Sequence, residues 1–211
     1  MNKKTPSNVN RRSKHLKYKT KNVISKYLVN VFYKKTYNLI KNIEFNSIAD
    51  LGCGEGHLFS YLELLIKNKK CFAIDFDINE VNDAKNNLPF CNVRQGSLYK
   101  LPFDDYSFDL VLCTEVLEHL EDPNIAVDEI YRVSKRYVLL SVPNEPLWRL
   151  MNVLRFSYLK YLGNTPGHIN HWSINSFKKI LLKKFKILKT SYPLPWIIIL
   201  AEKKINFSSK N

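Results

Sequence analysis

The stretch Asp50-Leu51-Gly52-Cys53-Gly54-Glu55-Gly56 decides the fold. It continues the apolar run Ser47-Ile48-Ala49 and precedes a helix-periodic segment, His57 to Lys67. A short apolar run of this kind reads as a buried strand, so the glycines form a strand-to-helix turn. Alternate glycines let the backbone pass close to a ligand and take angles closed to other residues. A dinucleotide turn would read G-x-G-x-x-G and cradle a pyrophosphate. Here the third glycine comes one position early, and His57 stands in its place. Asp50 lies two positions before the first glycine. A carboxylate at the floor of the turn repels a pyrophosphate and suits an ammonium or a sulfonium. Asp75 ends the next buried run, Cys71-Phe72-Ala73-Ile74-Asp75, 23 residues after Gly52. A carboxylate there accepts from both vicinal hydroxyls of a ribose. The plainer role for Asp75, capping the next helix, is one that Asp77 can fill. Together these residues describe a pocket for a nucleoside with a positively charged amino-acid tail.

Outward from the turn, further strands are predicted at Asn92–Gln95, Phe108–Cys113, Tyr137–Val142, Phe185–Thr190 and Trp196–Lys203. Helices are predicted over Ile78–Asn87, Pro123–Val133, Trp148–Leu162 and Ile174–Leu182, the last capped by Ser173. An N-terminal helix, 22–43, follows from the apolar pairs Val23/Ile24, Tyr27/Leu28, Val31/Phe32 and Leu39/Ile40. Strand and helix in alternation predict an α/β fold with a mainly parallel, doubly wound sheet. Ligands bind such sheets beyond the carboxyl ends of the strands. Residues 1–15 read as a disordered basic tail, and 16–211 as a single domain.

The 211 residues carry a formal net charge of +14, unevenly spread. Residues 1–45 hold net +11, residues 46–145 net −8, and residues 146–211 net +11. The basic residues are 26 Lys against 7 Arg, beside 22 Asn and only 5 Ala, a skew that AT-rich codon usage also produces. Lysine is a point charge, less suited than arginine to bidentate phosphate recognition. Cys53, Cys71, Cys91 and Cys113 lie in apolar or motif segments without C-x-x-C spacing, which predicts reduced, mostly buried thiols and a cytoplasmic location. No apolar run approaches the length of a membrane span, and the N-terminus lacks the apolar core of a signal peptide.

The stretch from Ser47 to about Val142 resembles the class I S-adenosylmethionine-dependent methyltransferases. It is similar above all to the group with a D-x-G-C-G-x-G turn, then G-D-A-x-x-L-P-F, F-D-x-V and E-x-x-E-H. The matching segments are Gly96-Ser97-Leu98, Leu101-Pro102-Phe103, Ser107-Phe108-Asp109-Leu110-Val111 and Glu115-Val116-Leu117-Glu118-His119-Leu120. The resemblance implies a Rossmann-like, seven-stranded sheet with an antiparallel last strand. It implies a cofactor-binding core at 46–145, an acceptor-side segment at 146–192 and a closing strand at 196–203. It implies S-adenosylmethionine as cofactor: Asp50, Gly52, Cys53, Gly54 and Gly56 around the methionine portion, Asp75 on the ribose, and Phe76 flanking the adenine. Ser97 and Leu98 would meet the adenine edge, and Glu115 would lie beside the methionine end. The group usually has Asp where Ser97 stands, which predicts a weaker contact there.

Candidates for handling the acceptor are Glu118, His119, His168 and His171, the last two in Gly167-His168-Ile169-Asn170-His171-Trp172. Histidine is the natural base near neutral pH. E-x-x-E-H with a distant His also resembles the small-RNA 2′-O-methyltransferases, in which two Glu and two His bind a divalent cation. Metal dependence is the less favoured expectation. The predicted acceptor is a small molecule, glycan or lipid-linked intermediate, methylated at a hydroxyl and anionic if the basic ends guide it. Those ends also fit a peripheral membrane contact. Nucleic acid ranks lower, because no RNA-binding module is recognisable. A non-catalytic cofactor-binding module is the remaining alternative; it leaves the paired histidines without a use.

Overall fold

The computed structural model describes residues 23–154, 162, 164, 165 and 167–204. Helix α1 (Val23–Ile40) leads into β1 (Ser47–Leu51), followed by the short helices α2 (His57–Tyr61) and α3 (Glu63–Ile66). Then come β2 (Lys70–Asp75), α4 (Ile78–Asn87), β3 (Asn92–Gln95), β4 (Phe108–Thr114), a 3-10 turn at Leu117–His119 and α5 (Pro123–Val133). The chain continues through β5 (Ser134–Pro143), α6 (Glu145–Leu154), α7 (Ile174–Leu182), β6 (Phe185–Ser191) and β7 (Trp196–Lys203). One seven-stranded sheet results, in the order β3-β2-β1-β4-β5-β7-β6. Strands β1 to β5 are parallel, and β7 runs antiparallel to both β5 and β6.

Side chains alternate across the central strands, so two cores form. Ala49, Leu51, Val111, Val138 and Ile199 pack with Ile130 of α5 and Phe177 of α7. Ile48, Leu110, Leu112, Leu139 and Ile198 pack on the other face with Phe32 of α1, Phe59 of α2 and Val81 of α4. Helix starts carry local caps. Asp77 accepts from Asn79 N ahead of α4, Asp122 from Asn124 N ahead of α5, and Ser173 with Ser176 forms a reciprocal box ahead of α7.

Several boundaries differ from the sequence reading; β5 runs Ser134–Pro143 rather than Tyr137–Val142, and β2 and β4 each gain a residue, Lys70 and Thr114. Helix α1 ends at Ile40, not 43, because Ile43 N turns back to the Ile40 carbonyl at 3.0 Å and feeds the buried Phe45 toward β1. The stretch 57–67 is two helices, since Leu62 leaves the helical region at φ −86°, ψ 0°. Helix α6 begins at Glu145, three residues earlier than the Trp148 expected, and its predicted continuation over 155–161 lies outside the described residues. Strand β6 gains Ser191, paired with Ile198. The basic tail, 1–15, also lies outside the described residues.

Order reverses between β1 and β4, whose crossovers lie on opposite sides of the sheet, and the glycine turn sits at that switch point. Gly56 closes it at φ 82°, and a Cβ there would lie 2.6 Å from Leu88 Cδ1. Gly56→Ala therefore forces strain and overlap together, an expected cost of about 2 kcal/mol. Thermal denaturation should show a midpoint lower by about 5 °C for a chain of this size; an unchanged midpoint would mean that the turn relaxes freely.

Candidate functional site

The turn is locked to β2 by its own backbone. Gly52 N and Cys53 N both donate to the Ile74 carbonyl, at 2.7 and 2.9 Å. Gly54 N donates to Asp75 Oδ2 at 2.8 Å, and Asp77 N donates to Asp75 Oδ1 at 3.0 Å. The Asp75 carboxylate thus ties the turn to the head of α4, while Asp77 is the helix cap. A carboxylate offers about four acceptor positions, so two remain on Asp75 for vicinal hydroxyls. Gly52 and Gly54 are in the left-handed region at φ 85° and 55°. A Cβ on Gly54 would have Glu80 Oε2 as its nearest neighbour, 3.6 Å away, which leaves this glycine bordering open space.

A cavity of about 80 Å³ lies at the carboxyl ends of the strands. Asp50, Gly52, Cys53, Gly54, Asp75, Glu115 and His119 all line it. A larger groove, about 570 Å³, lies at the opposite strand ends beside Asn46, Asp109 and Arg136. Asp109 is already engaged there by Asn46 N, by Ser47 N and Oγ, and by Lys135. Size does not choose between the two; the unspent acid does. Asp50 is 1% exposed, and its Oδ1 has no hydrogen-bond partner. Burial, reinforced by the negative charge of Asp75, pushes its carboxyl up to about 7. A buried, incompletely satisfied acid beside an open glycine backbone fits a cationic ligand head. The same burial pushes the Cys53 thiol up, so Cys53 lines the cavity as a neutral group. All four cysteines are free, with Cys71 and Cys113 buried and Cys53 and Cys91 half-buried.

Glu115 adopts φ 60°, rare for a residue with a side chain. Its carboxylate is gripped from two strands: Ser141 Oγ donates to Oε1 at 3.0 Å, and Trp196 Nε1 to Oε2 at 2.7 Å. Such a conformation persists only where the surroundings over-determine it. Glu115 thereby forms a fixed acidic part of the cavity wall that Asp50 also lines.

The remaining cofactor candidates sit differently. Gly56 packs against Leu88 and Ala84 rather than lining the cavity. Phe76 follows Asp75 on the surface, 69% exposed. Leu98 is buried in the core, and Ser97 Oγ accepts from Tyr99 N at 3.2 Å. Neither Ser97 nor Leu98 reaches the cavity wall.

Three of the four acceptor candidates come together. Ligand atoms of Glu118, His119 and His168 all lie within 4.8 Å of one another. Their meeting is forced by backbone: Ile169 N and Asn170 N both donate to the Glu118 carbonyl, at 2.9 and 3.0 Å. Asn170 Nδ2 adds a bond to the Leu117 carbonyl at 3.2 Å and another to that of Leu120. The fourth, His171, is exposed and bonds Asn164 Oδ1 through Nε2 at 3.2 Å, apart from the cluster. Sequence reasoning missed Phe32, Tyr33, Glu80 and Thr114 in the cavity wall. It also missed Glu145, whose Oε1 lies 2.6 Å from His168 Nδ1. Thr114 ends β4 and Glu145 follows β5, both at the ligand side of the sheet, a signal that was available. Trp196 as the partner of Glu115, 81 residues away, left none.

Residues 49–141 match the family model described as a methyltransferase domain. An uncharacterised methyltransferase of Schizosaccharomyces pombe is 32% identical over 111 residues, covering 47% of this chain and 40% of that protein. A probable S-adenosylmethionine-dependent methyltransferase of Mycolicibacterium smegmatis is 31% identical over 99 residues, covering 46% and 38%. The chain thus matches about two fifths of the length of these relatives. Among solved structures, the magnesium protoporphyrin IX methyltransferase of Synechocystis with bound SAH superposes with TM-score 0.65 at 18% identity, over 87% of this chain and 88% of that one. A Pyrococcus horikoshii protein gives TM-score 0.69 at 16% identity, over 92% and 97%. At such identities the structural likeness speaks for the fold, and the sequence match is confined to the central segment. Residues 49–141 are thus similar to a methyltransferase domain, and they are carried on the Rossmann-like sheet that the solved methyltransferase structures share.

Proposed function

We propose that the protein moves a methyl group from S-adenosylmethionine to a hydroxyl oxygen of a small-molecule, glycan or lipid-linked acceptor. The cofactor supplies an electrophilic methyl on a sulfonium. The chain supplies what surrounds it. Asp50 and Glu115 furnish negative charge for the ammonium and sulfonium, Gly54 a close backbone, and Asp75 acceptors for the ribose. The observation that carries the choice of acceptor is the Glu118–His119–His168 cluster, joined to the cavity through His119. A hydroxyl is a weak nucleophile until its proton is drawn off; an amine in its neutral form is not. Two imidazoles and a carboxylate, with His119 in the cavity wall, serve the first case. Exposed Lys34 and Lys35 lie on α1 beside Phe32 and Tyr33, which line the cavity; this supports an anionic acceptor drawn toward that rim.

His168→Ala should lower turnover by about 100-fold with cofactor affinity retained. The measurement uses methyl-labelled cofactor and fractionated extract, with label read in the lipid, glycan, RNA and small-molecule pools. Full turnover in the variant, or label confined to nitrogen or carbon positions, would remove the oxygen assignment.

Asp50 gives a pH test. A positively charged ligand favours its ionised form, so cofactor binding should release a proton and weaken as pH falls below about 7. In the ligand-free protein the sign is opposite: the raised acid makes stability fall as pH rises from about 4 through 7. Asp50→Asn should flatten both profiles. Calorimetry in buffers of different ionisation enthalpy reads the proton, and a binding curve of unchanged pH slope would exclude Asp50 from the cation site.

A further inference from the structure

We propose that α1, α6 and the link 192–195, which meet beside the cavity, form a docking surface for an anionic lipid bilayer. Apolar side chains stand out on all three. Val23 is 78% exposed and Tyr27 also lies open on α1, Leu150 on α6, and Tyr192 and Leu194 ahead of β7; Leu162, past α6, is 73% exposed. Scattered exposed apolar residues are ordinary, but a set on neighbouring elements with charge of one sign around it marks a contact.

The sheet brings these segments to one end. Pro143, the last residue of β5, pairs with Trp196, the first of β7, so the link 192–195 lies at the carboxyl ends of the parallel strands. Helix α6 starts just beyond Pro143, and Asn144 N donates to the Pro195 carbonyl at 2.9 Å. The Trp196 ring joins the rest, 5.1 Å from that of Phe32 on α1 and 6.2 Å from that of Trp148 on α6. The Leu162 carbonyl accepts from Arg149 Nε at 3.3 Å. Helix α1 runs from this end toward the start of β1, and Phe32 and Tyr33 line the cavity. Its first turns therefore rise past the cavity mouth: Val23 lies about 13 Å of helix ahead of Phe32.

The charge here is of one sign. Helix α1 carries Lys26, Lys34 and Lys35 and no acid, and the link 192–195 carries no charge. On α6, Arg149 stands with Glu145, which is buried and engaged by His168. The sequence ahead of Val23 adds eight Lys/Arg and no Asp/Glu. Charge complementarity chooses the occupant. A second copy would bring the same positive rim and be repelled. Nucleic acid calls for stacking rings and bidentate arginine, whereas Val23, Leu150, Leu162 and Leu194 are aliphatic and the cations are mostly lysine. An anionic bilayer takes both features at once. Apolar side chains enter the headgroup boundary, and lysines meet a diffuse negative surface. No helix among the described residues is long and apolar enough to cross a membrane; the contact is with the headgroup layer. Docking itself does not depend on the methyl-transfer reading. Its consequence does rest on that reading: a cavity whose mouth faces the bilayer draws its acceptor from the lipid-linked class.

The test floats the full chain, without cofactor or acceptor, on vesicles of phosphatidylglycerol with phosphatidylcholine and on vesicles of phosphatidylcholine alone. The chain should rise with the mixed vesicles and bind the neutral ones at least about tenfold more weakly, a gap that salt narrows. Leu150→Asp combined with Leu194→Asp, both at exposed positions, should weaken binding to mixed vesicles at least about tenfold. Leu64→Asp, at a position also exposed but beside the groove at the opposite strand ends, should bind as the wild type does. A wild-type chain that stays with the soluble fraction overturns the surface whether or not the variants fold. Flotation that the Leu150 and Leu194 changes leave intact also overturns it, since charge alone would then hold the chain. A dimer in sedimentation velocity, or binding of poly(U), abolished by the same pair would assign the face to a second copy or to nucleic acid instead. Failed flotation leaves methyl transfer standing, and a chain that floats yet methylates no hydroxyl leaves the docking surface standing.

Discussion

The carbonyl of Ile74 and the carboxylate of Asp75, two adjacent acceptors at the end of β2, hold the glycine turn in place. Between them they take the amide hydrogens of Gly52, Cys53 and Gly54, and Asp75 also takes that of Asp77. A turn rich in glycine has high conformational freedom, and three of its successive donors are spent on one strand end. The position of Asp50, the open edge at Gly54 and the start of α4 all follow from that anchorage. An acid that reads in sequence as a ribose ligand is first a fastener of the protein's own backbone.

The doubly wound sheet was legible because its signals are local. Ile48, Ala49, Ile74 and Val111 belong to short apolar runs, Pro123 opens a helix, and Ser173 caps one. The glycine turn was legible for the same reason, since Asp50 to Gly56 are contiguous. The ends of elements were not. Where α1 stops depends on the burial of Phe45, and the break at Leu62 on packing that no spacing encodes. The long-range pairings were also hidden. His168 reaches Glu118 because Ile169 and Asn170 donate to the Glu118 carbonyl, a bond between loops about fifty residues apart. His171, equally promising in sequence, falls on the exposed side of that same loop. A spacing of three residues outside a helix does not fix a shared direction, and here it separates the two rings.

The charge division acquires a location as well. The carboxylates of the acidic middle, Asp50, Asp75 and Glu115, meet in one small cavity. The basic α1 contributes its aromatic face to the wall and leaves Lys34 and Lys35 exposed. Net charge alone pointed to a polyanionic partner; the geometry gathers the carboxylates of the region of opposite sign around one small cavity.

The grip of Trp196 on Glu115 has a consequence for the order in which the molecule is made. Residues 49–141, which match the methyltransferase domain, contain Asp50, Asp75, Glu115 and Ser141 but neither Trp196 nor His168. During synthesis the glycine turn and the first five strands can emerge and pair while Glu115 still lacks its second donor. Only when β7 returns antiparallel beside β5, as nearly the last described segment of the chain, does the indole arrive to fix that wall. A ribosome-bound or truncated chain ending near residue 143 would therefore carry the motif with Glu115 still held from one side, and the wall is complete only with the closing strand.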